Sequence, residues 1–281
     1  MIYTGLNLTS NIKPGKIYIT AFNDDWYQSH RKVQYKKGIN TLENNITINS
    51  SNLLEYGFHF TILEEIDYLD SLGTWVAIVK IPDDAQVLDM YNEGTQWKTN
   101  KMIVDEIYNL YDLETIIKLE TIGTFKFPFS PFYISQVCFH GNTDILDYWV
   151  GEANVYLEYD EWTMNFASYQ GHVNVLEWFF KSGLPVKYNW CAIDYACIGG
   201  HVNVLEWWKN SKLPLQYTSN ALHHATYHGH LNVLNWWKNS KLPLKHLGMA
   251  MLLVGDKYTK NSIYNWWKTL ESETNTPIHI V

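Results

Sequence analysis

The chain has 281 residues, is 46% hydrophobic and carries a net charge of −8, with Arg31 as its only arginine. That balance excludes duplex nucleic acid and anionic membrane as main partners, because both need a basic footprint. A single guanidinium also leaves almost nothing for bidentate phosphate recognition.

The N-terminus, MIYTGLNLTSNIKPG, has no basic region followed by an apolar core, so no signal peptide is expected. No apolar run reaches the roughly 18 residues of a membrane span. Cys138, Cys191 and Cys197 make an odd set without a paired framework, as in a reducing compartment. The glycosylation patterns at Asn7, Asn45 and Asn49 are read as chance in an Asn-rich chain.

Lys16 to Thr20 follows the Pro14-Gly15 turn signal as a β-branched and aromatic strand. NNITIN (44–49) alternates like a half-buried strand. Gly57 to Thr61 ends a third strand. Thr61 and Glu64 have capping-box spacing, which predicts a helix opening at Thr61 with Leu63, Ile66 and Leu69 on one face. TWVAIVKI (74–81) is nearly continuous in apolar residues, which predicts a central strand stopped by Pro82. Val87 to Met90 and Met102 to Ile107 read as further strands. Asp112 is placed to cap a helix through Leu119. The turn-rich FKFPFSP (125–131) sets the domain boundary.

YKKGIN (35–40), YGFHFT (56–61), GTWVAIVKIPDDAQV (73–87) and QWKTNKMIVDEIYNLYDLET (96–115) resemble one leader domain. It precedes the repeats in ankyrin-repeat proteins of mimivirus-like giant viruses of amoebae. The resemblance supplies no catalytic residues. The order of elements is also faintly similar to ADP-ribosyltransferase folds, but this half contains no Glu-x-Glu motif. His59 is expected as a half-exposed sheet residue, and Asp24-Asp25 and Asp83-Asp84 as turn and cap carboxylates. No catalytic residue is assigned.

Beyond residue 130 the sequence repeats. GHVNVLEWFFKSGLPV (171–186), GHVNVLEWWKNSKLPL (200–215) and GHLNVLNWWKNSKLPL (229–244) recur with a period of about 29 residues, the mark of a stacked array. NALHHATYHGH (220–230) is similar to the ankyrin pattern Thr-Pro-Leu-His-x-Ala-Ala-x-x-Gly-His. A worn copy surrounds Gly141. A last one keeps Ile263, Tyr264, Trp266 and Trp267 but has Thr259-Lys260 in place of Gly-His, giving about five units. Terminal repeats depart from the pattern because they must cap the stack. The expected fold class is α+β: a mixed α/β leader over residues 1–125, then an all-α ankyrin-like solenoid over 126–281.

Within a unit, Ala196 and Ala225 allow close helix approach, and Gly200 and Gly229 end helices at positive φ. Val204, Leu205, Trp207 and Trp208 form an apolar stripe, read as core between repeats. The period is shorter than the usual ankyrin length, and Lys-Leu-Pro-Leu reads as a tight link in place of a projecting hairpin. Binding should therefore shift to the concave face of the inner helices. Its outward positions are Phe166, Tyr169, Gln170, Tyr195, Ile198, His224, Tyr227 and His228, the candidate partner-binding residues.

His172, His201, His230 and His223 match ankyrin positions where histidines brace the turns. His224 and His228 have i,i+4 spacing but no third ligand, so no metal is assigned. Cys191 and Cys197 read as small core residues, and no cofactor is implied. The expectation is a non-enzymatic protein–protein interaction protein, without nucleic-acid or membrane partners. Resemblance implies a host-protein partner in the host cytoplasm. The alternatives are an enzyme, for example ADP-ribosyltransferase-like, in the leader with the repeats as targeting arm, or a ubiquitin-ligase substrate adaptor.

Overall fold

The computed structural model describes residues 2–4, 15–27, 33–42, 56–69, 73–90, 94–123, 130–153, 156–245, 249–250, 257–274 and 279–280. The strand expected at 44–49, Arg31 and the three glycosylation patterns lie outside them. The chain divides into two compact units, Met1–Phe129 and Ser130–Val281. Among the described residues no helix is long and apolar enough to cross a membrane.

The first unit is built on an eight-stranded sheet. Its strands are β1 (Ile2–Thr4), β2 (Tyr18–Phe22), β3 (Gly38–Thr41), β4 (Phe58–Ile62), β5 (Trp75–Lys80), β6 (Gln86–Asp89), β7 (Gln96–Thr99) and β8 (Lys101–Asn109). They lie in the order β1-β6-β7-β4-β2-β5-β8-β3, and every pairing is antiparallel. The apolar run of β5 does take a central place, between β2 and β8. Phe22, Phe58, Phe60, Ile62, Ala77, Val79, Trp97, Met102 and Val104 form one core with Tyr35. Strand alternation sends Ile19 and Ala21 to the opposite face, where both are also fully buried.

Helix α1 (Leu113–Ile122) buries Ile116 and Leu119. Asp112 stands at its N-cap without a side-chain cap bond.

Two expectations fail in this unit. Thr61 is a strand residue whose hydroxyl donates to the Thr95 carbonyl at 2.6 Å. The helix that follows is a 3-10 helix, Leu63–Leu69, and Glu64 accepts from Lys16 Nζ at 2.6 Å, so the capping box does not form. His59 is not half exposed but 2% exposed, because β4 is an inner strand flanked by β2 and β7. Its register partner Lys98 is equally buried. The four aspartates lie in turns, as expected, but Asp24 and Asp84 bond distant side chains. Asp24 accepts the Trp75 indole N–H at 2.7 Å, and Asp84 pairs with Lys101 at 2.5 Å.

The second unit is a series of helix pairs. They are α2 (Pro131–Phe139) with α3 (Thr143–Asp147), the latter continued by a π turn (Tyr148–Glu152); α4 (Trp162–Gln170) with α5 (Val173–Lys181); α6 (Cys191–Gly199) with α7 (Val202–Asn210); and α8 (Asn220–Tyr227) with α9 (Leu231–Ser240). A longer helix, α10 (Lys257–Thr274), closes the series. The first helices of successive pairs pack on one another, α2 on α4 on α6 on α8, and the second helices likewise from α3 to α10.

The unit is not wholly helical. Where a fifth inner helix would begin, Met249–Ala250 (β9) pairs in parallel with His279–Ile280 (β10). Four helix pairs and α10 are therefore what the described residues show.

Each repeat is tied to the one before it by side chains at fixed positions. The rings of His172 and His230 bond the carbonyls of Phe139 and Ile198 at 3.0 and 2.8 Å. Asn174, Asn203 and Asn232 donate to the carbonyls of Gly141, Gly171 and Gly200. Buried indoles reach back to small side chains: Trp208 to Ser168, Trp237 to Cys197 and Trp267 to Thr226. The links are closed by Tyr159, Tyr188 and Tyr217, which donate to the carbonyls of Pro185, Pro214 and Pro243. His172 and His230 are the struts that the sequence pattern implied, whereas His223 stacks on His224.

The apolar stripe is narrower than expected. Val204, Leu205 and Trp208 are buried, whereas Trp207 is half-buried and donates to Glu177 at 2.7 Å.

Candidate partner-binding face

The face begins with what the inner helices lack. PFYISQVCF, WTMNFASYQ, CAIDYACIG and NALHHATY contain no lysine or arginine and a single carboxylate, Asp194. Asp194 is fully buried and accepts from the Thr218 N–H at 3.0 Å and the Thr218 hydroxyl at 2.5 Å, fixing the start of the next repeat. Burial pushes its carboxyl up, against the pull of those two bonds. The surface of these helices is accordingly aromatic, without lysine, arginine or an exposed carboxylate.

Small residues set the spacing. Ala167, Ala196 and Ala225 are fully buried, and each supplies the carbonyl bonded by the following histidine N–H. A Cβ at Gly199 would lie 2.3 Å from the Tyr169 carbonyl oxygen, so α6 can approach α4 this closely only with glycine there.

Five rings from three inner helices then form a closed circuit. Between centroids, Phe139 lies 6.0 Å from Phe166, Phe166 5.3 Å from Trp162, Trp162 6.3 Å from Tyr195, Tyr195 6.2 Å from Tyr169, and Tyr169 6.3 Å from Phe139. Trp162 keeps 41% of its surface exposed, and the other four rings are half-buried.

Phe166, Tyr169 and Tyr195 were singled out from sequence. Phe139 and Trp162 were not, nor were the exposed Phe132 and Trp190. Phe139 holds the place of Tyr169 in the worn first copy, so extending the repeat alignment to Gly141 would have found it. Gln170 is exposed at the end of α4, and Ile198 is half-buried on α6.

The remaining three residues gather at the C-terminal end of α8, His228 being its C-cap. His224 lies 6.5 Å from His228, which lies 5.0 Å from Tyr227 and 6.1 Å from His230, while His223 stacks on His224. Burial, then the neighbouring histidines, hold the imidazoles of His224 and His228 below the ordinary range. Among the described residues no group of three or more His, Cys, Asp and Glu is placed to hold a metal ion. Burial pushes the thiols of Cys138, Cys191 and Cys197 up, away from the nucleophilic thiolate.

The outer helices offer grooves of another character. One of about 580 Å³ lies between α3 and α5, lined by Asp147, Glu177, Trp178 and Lys181 among others. Its polar groups are already engaged: Asp147 accepts the Trp178 indole, and Glu177 pairs with Lys181.

Residues 193–236, from α6 to α9, match the ankyrin-repeat family (many copies). That segment is similar to ankyrin repeats. It is also 31% identical over 127 residues to an uncharacterized protein of Acanthamoeba polyphaga mimivirus. The match covers 45% of this chain and 38% of that protein's length. Together these findings support an ankyrin-repeat protein of mimivirus-like viruses. Ankyrin repeats of this kind point to protein–protein interaction as the task of the helical unit.

Proposed function

We propose that this ankyrin-repeat chain is a non-enzymatic interaction protein that grips a host protein through the exposed face of its inner helices, in the host cytoplasm. The observation that carries this reading is the aromatic surface of α2, α4, α6 and α8, free of lysine and arginine, in an array whose histidines, asparagines and buried indoles join one repeat to the next. Aromatic side chains at low charge density are what the desolvated centre of a protein interface uses. The Trp pairs of the outer helices serve the scaffold instead.

The test is affinity capture from amoebal lysate with the full chain and with a Tyr195→Ala, Tyr227→Ala double variant. The wild-type chain should retain a discrete set of proteins, and the double variant should lose it while melting within a few degrees of wild type. Capture of the same proteins by both chains would move binding off this face.

A further inference from the structure

The circuit of Phe139, Phe166, Trp162, Tyr195 and Tyr169 has a specific electrostatic character. An aromatic face is the negative end of a ring quadrupole, and several converging rings attract a poorly hydrated cation. The array already uses this contact. Lys187 lies 4.7 Å over Tyr159, and Lys245 4.2 Å over Tyr217, in alternate repeats on the link side. Among the described residues, lysines stand over Tyr108, Tyr159, Tyr217 and Tyr264, and none over the five rings of the circuit.

Acid lies at the rim. Glu161, exposed, is the N-cap residue of α4 and immediately precedes Trp162. Its carboxylate therefore belongs to the end of α4 that carries Trp162. Asp160 bonds the Trp162 N–H at 3.0 Å at the same end of α4.

From the five-ring circuit, the rim carboxylate of Glu161 and the absence of lysine and arginine from the inner helices, we propose that this basin receives an arginine side chain of the partner protein. The inference rests on the inner face being the binding surface. Arginine fits better than lysine. Its planar guanidinium stacks on rings, is weakly hydrated, and can present its edge to a carboxylate while its face lies on an indole.

The experiment titrates the full chain with three probes: N-acetyl-arginine methylamide, the lysine compound, and citrulline, the neutral isostere of arginine. The Trp162 indole resonance is followed by NMR and identified by its loss in Trp162→Leu. Arginine should shift that resonance saturably, with citrulline at least about 5-fold weaker, the scale of a partly exposed cation–π contact. Glu161→Gln should weaken the arginine response and leave citrulline unchanged. Equal responses to arginine and citrulline, an equally strong lysine response, or no arginine response would each overturn the proposal. Capture of protein by the face is read separately with the tyrosine variants, so a basin that ignores arginine is distinguishable from a face that binds nothing.

Discussion

The imidazole of His201 seats against Gly171 so closely that a Cβ on that glycine would lie 2.7 Å from Nδ1. His172 stands in the same relation to Gly141, and His230 to Gly200. Each glycine therefore answers two demands, since Gly171 also has φ 85°, in the left-handed region. Gly183 isolates one of them: its φ is 78°, with nothing within 4 Å of an added Cβ. Gly183→Ala should cost about 1 kcal/mol, from the backbone alone. Gly171→Ala should cost about 2–4 kcal/mol, because the ring must also move from the Tyr169 carbonyl it brackets. Urea unfolding of the two variants measures the difference, and equal losses would remove the packing role of His201.

Acid should loosen the repeats. The imidazole of His201 is held below its ordinary value of 6.5 by burial and then by His230 and His172, while its bond to the Tyr169 carbonyl pulls the other way. His224 and His228 are lowered likewise. A histidine lowered in the folded chain binds its proton more readily when unfolded. Its contribution is full above the unfolded value of 6.5 and is lost as pH falls through that value towards the folded ones. Asp194 acts in the opposite sense, because its raised carboxyl favours the folded chain as pH falls through the range above 3.8. The urea midpoint should be lower at about pH 5.5 than at about pH 7.5, and Asp194→Asn should steepen the fall. A midpoint in Asp194→Asn that does not fall with acid would contradict the histidine assignment, and an equal fall in both chains the one for Asp194.

Trp207 and Trp208 look alike in sequence and differ in the fold. Trp208 is 1% exposed and donates to Ser168 in the preceding repeat, whereas half-buried Trp207 donates to Glu177. Trp208→Ala should cost about 3–5 kcal/mol and can unstack the array. Trp207→Ala should cost about 1–2 kcal/mol, little more than a partly exposed ring and one charge-assisted bond. Thermal melting of the two variants decides it. Helical periodicity alone predicted that Trp207 was core.

That contrast marks how far the sequence could be read. A 29-residue period gives the helix pairs, the positive-φ glycines and the bracing histidines, because each is dictated by its place in one unit. The aromatic circuit is different in kind. It joins Phe139, Trp162 and Tyr195 across three helices, and their meeting depends on how far each inner helix slides past the next. In the sheet unit the β5 run was legible from its apolar content. The burial of His59 was not, since it requires knowing that β7, a strand with no strong alternation, flanks β4.

The left-handed position at the end of the outer helices offers a stabilising change. Gly183, Lys212 and Lys241 occupy it in successive repeats, with φ of 78°, 64° and 62°. Only the first is a residue that adopts this region freely; an L side chain there costs roughly 1–2 kcal/mol. Both lysines are exposed, so their removal opens no cavity. Glycine does gain freedom in the unfolded chain, which offsets part of the relief. Lys212→Gly and Lys241→Gly should each raise stability by about 0.5–1 kcal/mol, and together add, because they lie in different repeats. Urea unfolding of the single and double variants checks this. A loss in either would show that the lysine side chain stabilises its link by more than its backbone strains it.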